Sequence, residues 1–534
     1  MDKRLFLGDQ AIAQGALDAG LSGVYAYPGT PSTEITEFIQ ESKDAQARGV
    51  HSRWSTNEKT AMESALGMSY MGKRAMVCMK HVGVNVCADP FVNSAMTGVN
   101  GGLVLVVADD PSMHSSQDEQ DSRFYAKFAM VPLLEPSNQQ EAYNMIRDAF
   151  DMSEELKLPV VLRVTTRMAH SRAVVTLAEK RSENSLNFDS KPIDWVLLPV
   201  NARRKNDLLC AMQPELVRRS EEEGRNLLIS GKAKTGVIVS GIACNYVEEN
   251  FSEGITFPML KIKQYPIPHT LINELSKMCE EILVIEEGQP FIEEQLRGVL
   301  DGVKTIKGKL SGELPRTGEL TPDSVAKAFG LGEKEALPSC KDVTVRPPAL
   351  CAGCGHRDVY AALNAVAAEY ENARIFGDIG CYTLGALPPF RALASCVDMG
   401  ASITMAKGAA DAGLYPAIAI IGDSTFTHSG MTGLLDAINE NANITVVISD
   451  NLTTAMTGGQ DSAGLNKYEA ICLGLGVLPE HLHVVVPLPK NMDEITRVIR
   501  QEVEYKGLSV IIPRRECIQT LARHNKAKRA AVKK

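Results

Sequence analysis

The sequence predicts an α/β protein with two related parallel sheets, and two observations carry this prediction. Short apolar runs, such as residues 102–108 and 417–421, end in polar loops and alternate with segments of helical spacing. Buried strands that alternate with helices are typical of parallel sheets. In addition, residues 57–79 and 400–424 share one pattern, in which a helix of small residues precedes a buried strand and a polar loop. The repeated pattern favours two related α/β domains.

Domain boundaries are expected where the composition changes. A first α/β domain is followed by a polar, charged connecting segment and by a compact α/β domain with no obvious chemistry of its own. A linker with glycine and proline then leads to a third α/β domain and a basic tail, which we expect to be a frayed, solvated end. In this order, the ranges are 1–170, 171–230, 231–310, 311–344, 345–520 and 521–534.

The composition excludes several classes of function. The chain has 534 residues and a formal net charge of −9, which offers no basis for a nucleic-acid interface. No apolar run approaches the roughly 20 residues that span a bilayer, and the N-terminus lacks the apolar core of a signal peptide. The 12 cysteines favour thiols or metal ligands over a disulfide scaffold. We expect a cytoplasmic protein with no membrane partner.

The strongest chemical signal lies in residues 422–460. An apolar run ends at Asp423, a helix is predicted from about 429 to 439, and a second β-rich run ends just before Asn451. Open α/β sheets bind ligands at the carboxyl ends of their strands. Oxygen ligands from Asp423 and Asn451 suit Mg²⁺ held against the phosphates of a substrate. The GDS turn alone could equally be an ordinary strand end, but the whole stretch is specific.

Four cysteines lie in loops that precede or follow predicted strands. Cys351 and Cys354 form a C-x-x-C in a glycine-rich turn, and Cys381 and Cys517 each follow an apolar, strand-like run. Thiolates on such loops can converge on one metal centre, which could be an iron–sulfur cluster or tetrahedral zinc. The alternative is a set of unrelated buried thiols. That interpretation suits the other eight cysteines, at positions 78, 87, 210, 244, 279, 340, 396 and 472.

With these residues in view, the chain resembles the indolepyruvate:ferredoxin oxidoreductase alpha subunits of the 2-oxoacid:ferredoxin oxidoreductase superfamily, from about residue 5 to 520. The strings that carry the resemblance are YPGTPSTE, NEKTAME, MKHVGVNVCADP, DDPSMHSSQDEQDSR, CAGCGH, GDIGCYTLG and GDSTFTHSG…DNLTTAMTGGQ. The family implies a thiamine-diphosphate-binding fold with a pyrimidine domain, a transketolase C-terminal-like domain and a pyrophosphate domain. The cofactor would bind where the first and third domains meet.

The resemblance assigns the magnesium and cofactor ligands. Asp423, Asn451 and the carbonyl of Thr453 match the Mg²⁺ ligands, and Gly422 and Ser424 complete the cofactor motif. The family motif normally begins GDG, so Ser424 is a departure.

Two further residues match catalytic positions of the family. Glu58 matches the glutamate that hydrogen-bonds the aminopyrimidine, where a carboxyl group promotes the tautomer that deprotonates the thiazolium carbon. The alternative is a simple first-turn acid of the helix that Asn57 is predicted to cap. Thr30 matches the threonine near the substrate carbonyl, and its alternative is a loop residue that leads into a helix.

By the same resemblance, Cys351, Cys354, Cys381 and Cys517 match the ligands of the cluster nearest the cofactor, which favours one 4Fe-4S cluster over zinc. His356 lies beside this motif and is expected to contact the cofactor.

The substrate carboxylate needs a cationic or hydrogen-bonding partner, and His114 and Arg123 are the candidates. His81 and His428 lie in comparable loops, and loop histidines are more often structural or solvated.

The family implies oxidative decarboxylation of 2-oxoacids, with arylpyruvates such as indolepyruvate favoured and coenzyme A as acyl acceptor. It also implies a smaller second subunit and a two-fold assembly. The relatives continue into a ferredoxin-like segment with two C-x-x-C-x-x-C-x-x-x-C-P runs, and this sequence contains no such run. We therefore expect electrons to pass to a separate ferredoxin or another acceptor.

Two other hypotheses are compatible with parts of the sequence. The first is a non-redox thiamine-diphosphate decarboxylase or ligase whose cysteines hold zinc or nothing, and the second is a non-catalytic scaffold subunit. Glu58, Asp423 and Asn451 argue against the scaffold.

Overall fold

The computed structural model describes residues 2–187, 195–296, 298–300, 304–331, 340, 342–344, 348–396 and 398–532. The chain forms two compact units, Met1–Leu337 and Pro338–Lys534, called unit 1 and unit 2 below. Among the described residues, no helix combines the length and the apolar character that crossing a bilayer requires.

Unit 1 contains the strands of three sheets. They are β1 (Lys3–Leu7), β2 (Gly23–Ala26), β3 (His51–Trp54), β4 (Ala75–Lys80), β5 (Leu103–Asp109), β6 (Leu133–Leu134), β7 (Val160–Thr165), β8 (Arg172–Thr176), β9 (Leu227–Ile229), β10 (Thr235–Ser240), β11 (Met259–Ile262), β12 (Gln264–Tyr265), β13 (Glu281–Ile285) and β14 (Thr305–Lys307).

The helices of unit 1 alternate with these strands. They are α1 (Gly8–Asp18), α2 (Thr33–Glu41), α3 (Lys43–Arg48), α4 (Glu58–Tyr70), α5 (His81–Thr97), α6 (Arg123–Ala129), α7 (Gln139–Leu156), α8 (Thr166–His170), α9 (Pro199–Glu222), α10 (Ala243–Asn250), α11 (His269–Lys277), α12 (Phe291–Leu296) and α13 (Pro322–Ala328).

Unit 2 is built on one sheet with helices around it. Its strands are β15 (Arg374–Gly377), β16 (Leu393–Ser395), β17 (Ala417–Gly422), β18 (Ile444–Ser449), β19 (Leu482–Val485) and β20 (Ser509–Pro513). Its helices are α14 (Gly355–Ala367), α15 (Ala401–Asp411), α16 (Asp423–Thr425), α17 (Met431–Asn439), α18 (Tyr468–Leu475), α19 (Met492–Glu504) and α20 (Ile518–Val532). Short 3₁₀ segments cover Cys381–Ala386, Ala455–Thr457, Pro479–His481 and Pro489–Asn491.

The large sheets of the two units have the same topology. The order in unit 1 is β12-β6-β7-β5-β4-β2-β3, and in unit 2 it is β19-β20-β18-β17-β15-β16. When β12 is set aside, the strands of the two sheets match one to one in chain order, and all their pairs are parallel. This confirms the repeat inferred from residues 57–79 and 400–424, because α4 and β4 correspond to α15 and β17.

Unit 1 also holds a five-stranded sheet in the order β14-β13-β10-β11-β9. The chain leaves this sheet at Ile262 and enters the seven-stranded sheet at Gln264, where β12 pairs antiparallel with β6. Buried residues of both sheets form one hydrophobic cluster. The five-stranded part is therefore integrated into unit 1 rather than attached by a flexible connection.

Three segments differ from the sequence predictions. The predicted linker contains α13. Thr321 caps the N-terminus of this helix, and the apolar face of the helix packs inward, so that Val325 is buried in the core of unit 1. The predicted frayed tail forms α20. The helix expected from about 429 starts earlier, as α16 at Asp423, and continues through a π-helical turn, Phe426–Gly430, into α17. Such turns are frequent at functional sites.

A buried network of charges joins the seven-stranded and the five-stranded sheet of unit 1. Arg163 on β7 contacts Asp109 at 2.6 Å and also pairs with Glu135, while Arg123 on α6 contacts Glu286 at 2.7 Å, directly after β13. Asp121 lies between the two guanidinium groups. Although burial acts to raise it, the pKa of Asp121 is lowered to about 2 by the two arginines.

Replacing Arg163 with methionine should destabilise unit 1 by about 3–5 kcal/mol, because it leaves buried carboxylates without their partner. Urea unfolding followed by circular dichroism measures this free energy. Arg218→Met is the control, since Arg218 is half exposed and pairs with glutamates along the surface of α9. Equal stability of the two variants would contradict the role given to the network.

Candidate functional site

Parallel pairing of β17 with β18 places two predicted ligands side by side in unit 2. Gly422 lies opposite Ser449 in the register, so Asp423 and the pair Asp450–Asn451 leave the same edge of the sheet. The loop after β18 then turns back, with Leu452 in a left-handed conformation (φ 63°).

One backbone amide holds the two side chains together. The N–H of Thr453 donates to Asp423 Oδ2 and to Asn451 Oδ1, each at 3.1 Å. Asp423 Oδ1 accepts a second bond, of 2.7 Å, from the N–H of Ser424. The hydroxyl of Ser424 accepts from Thr454 at 2.9 Å. The serine that departs from the family motif therefore links the two loops of the site.

The electrostatics of this edge favour a bound cation. Asp423 is only 3% exposed, and burial, followed by the charge of Asp450, raises its pKa to about 8. Arg514 pairs with Asp450 at 2.6 Å. This arginine is therefore engaged with Asp450 and not with Asp423. A buried carboxylate beside an amide oxygen is a donor set that fits Mg²⁺.

The four predicted thiol ligands line one cavity of unit 2, with a volume of about 130 Å³. Cys351 and Cys354 precede α14, Cys381 begins a 3₁₀ segment after β15, and Cys517 directly precedes α20. Asn451 lines the same cavity, so the thiols and the candidate magnesium ligands are neighbours.

The thiols affect one another electrostatically. Burial raises the pKa of Cys381 to about 12, with further contributions from the other three cysteines and from Asp423. Burial also raises the pKa of Cys354. A metal centre would offset this cost because it binds thiolates.

The spacing of the sulfurs is a separate observation. Among the described residues, no three of these sulfurs lie within 4.8 Å of one another, whereas a zinc ion with bonds of about 2.3 Å needs separations of about 3.8 Å.

His356 lines this cavity too. Its Nδ1 is 3.5 Å from Cys354 Sγ, and burial lowers its pKa to about 4. Its Nε2 is buried without a hydrogen-bond partner in the described structure. The imidazole is therefore neutral near pH 7.

Glu58 is the first residue of α4 in unit 1. The side chain of Asn57 accepts from the N–H of Thr60 at 2.8 Å, which confirms the predicted N-cap. Glu58 is 5% exposed and packs against Gly83 of α5. A Cβ at Gly83 would lie 2.7 Å from Glu58 Oε1, so this position requires glycine if the carboxylate is to keep its place.

Thr30 lies where two loops meet the end of β4. Its carbonyl accepts from the hydroxyl of Ser115 at 3.3 Å, and the ammonium of Lys80 donates to the carbonyl of Ser115 at 2.9 Å. The aliphatic part of Lys80 packs on the backbone of Gly29, where a Cβ would lie 3.2 Å from Lys80 Cγ. Thr30, Ser115 and Lys80 thus form one site.

Lys80 was not among the residues selected from the sequence. Burial lowers its pKa, and the charges of Asp110, Glu58 and Asp118 act in the opposite direction. The sequence feature that could have identified Lys80 is its place at the end of an otherwise apolar strand, directly before a helix.

The two substrate candidates chosen from the sequence are engaged elsewhere. Arg123 is 1% exposed and donates to Asp121, Glu286 and the carbonyls of Glu287 and Gln289. The prediction that Arg123 binds a substrate carboxylate is wrong, because its guanidinium is buried and already paired with two carboxylates of the protein, Asp121 and Glu286. His114 is half exposed and lies 3.3 Å from Glu319.

The other two loop histidines also have partners. His81 Nε2 lies 3.2 Å from the carbonyl of Asp118, and His428 Nδ1 lies 2.6 Å from the hydroxyl of Ser429.

Comparison with known families gives two matches. Residues 14–194 match the family described as "Pyruvate flavodoxin/ferredoxin oxidoreductase, thiamine diP-bdg". Residues 378–512 match "Thiamine pyrophosphate enzyme, C-terminal TPP binding domain".

Curated relatives match over nearly the whole chain. The "Indolepyruvate oxidoreductase subunit IorA" of Archaeoglobus fulgidus is 36% identical over 546 residues, which covers 97% of this chain and 86% of that protein. The protein of the same name from Methanothermobacter thermautotrophicus is 38% identical over 544 residues, covering 97% and 87%.

A solved structure shows the same fold. It is the 2-oxoglutarate:ferredoxin oxidoreductase from Magnetococcus marinus with 2-oxoglutarate, coenzyme A and succinyl-CoA bound. The TM-score is 0.50 at 16% sequence identity, and the match covers 62% of this chain and 65% of that one. This confirms the predicted α/β fold of thiamine-diphosphate-binding type.

Replacing Asp423 with asparagine should abolish stabilisation by Mg²⁺ and thiamine diphosphate together, because the cation loses its charged ligand. Added at 100 times Kd, a ligand stabilises by about 2.7 kcal/mol, which a thermal melt resolves as a higher Tm for the wild-type chain. Asp436→Asn, at an exposed position on α17, should retain the rise. An undiminished rise in D423N would refute the assignment.

Proposed function

The chain belongs to the indolepyruvate oxidoreductase alpha subunits of the thiamine-diphosphate-dependent 2-oxoacid:ferredoxin oxidoreductases, and on that premise we propose its substrates and its electron path. It oxidatively decarboxylates arylpyruvates such as indolepyruvate, with coenzyme A as acyl acceptor. Electrons pass through one 4Fe-4S cluster to an external ferredoxin-type protein. The names of the curated relatives support the substrate, and the ligands of the solved neighbour support coenzyme A.

The observation that carries this proposal is the convergence in unit 2. Four cysteines from three separate segments line one cavity, and Asn451 of the candidate magnesium site lines it too. An electron acceptor at the cysteines would therefore lie next to the residues that anchor the cofactor. A decarboxylase without redox chemistry has no need for this arrangement.

Unit 2 would hold the cofactor through its diphosphate. Asp423, Asn451 and the carbonyl of Thr453 are the proposed ligands of Mg²⁺, and Gly422 and Ser424 line the same strand end. When bound, thiamine diphosphate supplies a thiazolium group that accepts the electron pair released by decarboxylation.

Glu58 is the proposed acid–base group. Its carboxyl group would hold and move the proton at the aminopyrimidine, as a positioned side chain must for general acid–base catalysis. Close packing on Gly83 fixes its position and keeps water away from it.

Lys80 is the proposed partner of the substrate carboxylate, in place of Arg123. Its ammonium group donates to the carbonyl of Ser115, whose hydroxyl donates to the carbonyl of Thr30, the residue proposed to contact the substrate carbonyl. Lys80 is a cation outside the buried arginine network. A charge-assisted hydrogen bond to a carboxylate is the interaction expected there. His114, which is half exposed and pairs with Glu319, is the second candidate for the substrate carboxylate.

The four thiolates are the proposed ligands of the 4Fe-4S cluster. Among the described residues, no three of these sulfurs lie as close together as one zinc ion requires, and iron–sulfur clusters of this type take four cysteines. When bound, the cluster supplies one-electron transfer, while His356 contributes a neutral ring to the wall of the cavity.

We assign the domains in the same way. Residues 1–170 form the pyrimidine domain and 345–520 the pyrophosphate domain, which the two family matches support. Residues 231–310 form the transketolase C-terminal-like domain. The word "subunit" in the names of the relatives supports a smaller partner subunit, and a two-fold assembly is part of this proposal.

Iron content and the EPR spectrum of dithionite-reduced protein, purified without oxygen, test the electron path. We expect about four irons per chain and a reduced-cluster signal, as one 4Fe-4S centre implies. A double variant, C351S/C354S, should lose both. Cys396→Ser is the control, because Cys396 lies in unit 2 outside the cavity. Zinc or free thiols in the wild-type chain would favour a decarboxylase without redox chemistry.

Kinetics of two variants should separate the roles of Lys80 and Glu58. Lys80→Gln should raise KM for the 2-oxoacid roughly 10- to 100-fold, since a hydrogen bond to a charged group contributes about 1.5–3 kcal/mol. Glu58→Gln should instead lower kcat by about 10²–10⁴. Lys59→Gln, at a half-exposed neighbouring position, should change neither. A fall of kcat alone in K80Q would exclude carboxylate binding by Lys80.

A further inference from the structure

Three side chains from distant parts of unit 1 meet outside the residues discussed above. Asp9 lies in the first turn of α1, Glu34 in the first turn of α2, and His170 is the last residue of α8. Each offers one ligand atom, and these atoms all lie within 4.8 Å of one another. His170 Nε2 and Glu34 Oε1 are 3.5 Å apart.

The surrounding backbone is closely packed, which fixes this geometry. Gly8, at the start of α1, has no room for a side chain, because a Cβ there would lie 2.2 Å from the carbonyl of Met168 on α8. The first turn of α1 is therefore held against α8, and Asp9 is held near His170.

Asp9 provides an independent observation that points to a ligand. Its side chain is fully buried, and neither carboxylate oxygen has a hydrogen-bond partner in the described structure. A buried carboxylate normally has hydrogen bonds, a counter-charge or a metal. Asp9 lies at the start of a helix, where the helix dipole favours a negative charge. Neither carboxylate oxygen gains a hydrogen bond from this position in the described structure, and Glu34 adds a second negative charge.

We propose that Asp9, Glu34 and His170 bind a divalent transition-metal ion of the Zn²⁺ type. Two carboxylate oxygens and one imidazole nitrogen form a donor set for such ions, whereas Mg²⁺ prefers oxygen alone. Ligand atoms of a site with bonds of about 2.0–2.2 Å are about 3–4 Å apart, which this cluster allows.

The ion can reach the site, and water can complete its coordination. The side chains of His170 and Glu34 are 35% and 37% exposed, while Asp9 forms the buried floor. Burial and the charge of Glu34 raise the pKa of Asp9 well above its usual value, and the metal would offset both effects.

The site stabilises the segment that carries Thr30. Glu34 lies in the first turn of α2, which follows the loop that carries Thr30. The hydroxyl of Thr33 accepts from the N–H of Gly29 in this loop at 3.0 Å. Joining α2 to α1 and α8 through the metal would therefore anchor the start of α2 and the loop before it. This is a structural site, and it does not depend on the proposed reaction.

Zinc content and thermal stability test the site on the full chain with its cluster loaded, so that the thiols of unit 2 are occupied. We compare the wild-type chain with His170→Ala and with the control His269→Ala, which removes an exposed histidine of α11. After incubation with ZnCl₂ and desalting, the wild type and H269A should each retain one zinc per chain more than H170A. Their Tm should rise with zinc, and that of H170A should not.

Asp9→Asn separates a metal ligand from a buried acid that simply carries a proton. The amide has nearly the same shape, so D9N should fold and be at least as stable as the wild type without zinc, but it should lose the zinc-dependent rise in Tm. A rise retained in D9N, or equal zinc in the wild type and H170A, would overturn the proposal.

Cobalt gives a spectroscopic check on which ligands are used. Co²⁺ bound by thiolates has an intense sulfur-to-metal absorption, and Co²⁺ bound by imidazole and carboxylates does not. The site should give weak visible bands without sulfur character, and these should disappear in H170A. Bands with sulfur character that persist in H170A would place the metal at cysteines instead.

Discussion

Parallel alignment of strands is the constraint on which the functional parts of this chain depend. Neighbouring parallel strands end at the same edge of a sheet, so residues far apart in sequence become neighbours without any further interaction. In unit 2, the pairing of β17 with β18 brings Asp423 next to Asn451. In unit 1, the pairing of β4 with β5 brings Lys80 opposite Ala108, close to the loop that follows Asp110.

The two large sheets share one topology but carry different chemistry at this edge. Unit 2 presents oxygen ligands for a cation and, on adjoining loops, four thiols. Unit 1 presents a buried glutamate and a lysine next to a threonine loop. Strand order is determined by backbone pairing and by burial of apolar faces, whereas the residues that follow each strand are free of that requirement. One scaffold can therefore bind a metal in one unit and position acid–base and cationic groups in the other.

The buried charges of the chain follow one rule, that each is stable only with a counter-charge, hydrogen bonds or a metal. Arg123 and Arg163 satisfy buried carboxylates of both sheets in unit 1, and Arg514 satisfies Asp450 in unit 2. Asp423 and Asp9 are buried carboxylates without such an arginine, and their pKa values are raised. At these two carboxylates the protein supplies no arginine as a compensating charge, and a cation fits at each of them.

By itself, the sequence determined the α/β class, the repeated pattern, the helix cap at Asn57 and the residue sets at Asp423, Asn451 and the four cysteines, because local periodicity and strings of adjacent residues carry these features. Only the tertiary structure decided that Arg123 is a structural ion-pair residue, that Lys80 lies beside Thr30, that β12 joins the seven-stranded sheet and that Asp9, Glu34 and His170 meet. Each of these depends on contacts between residues dozens to more than a hundred positions apart. Residue type and spacing do not encode whether a charged side chain will find its partner inside the protein or keep its charge available for a ligand.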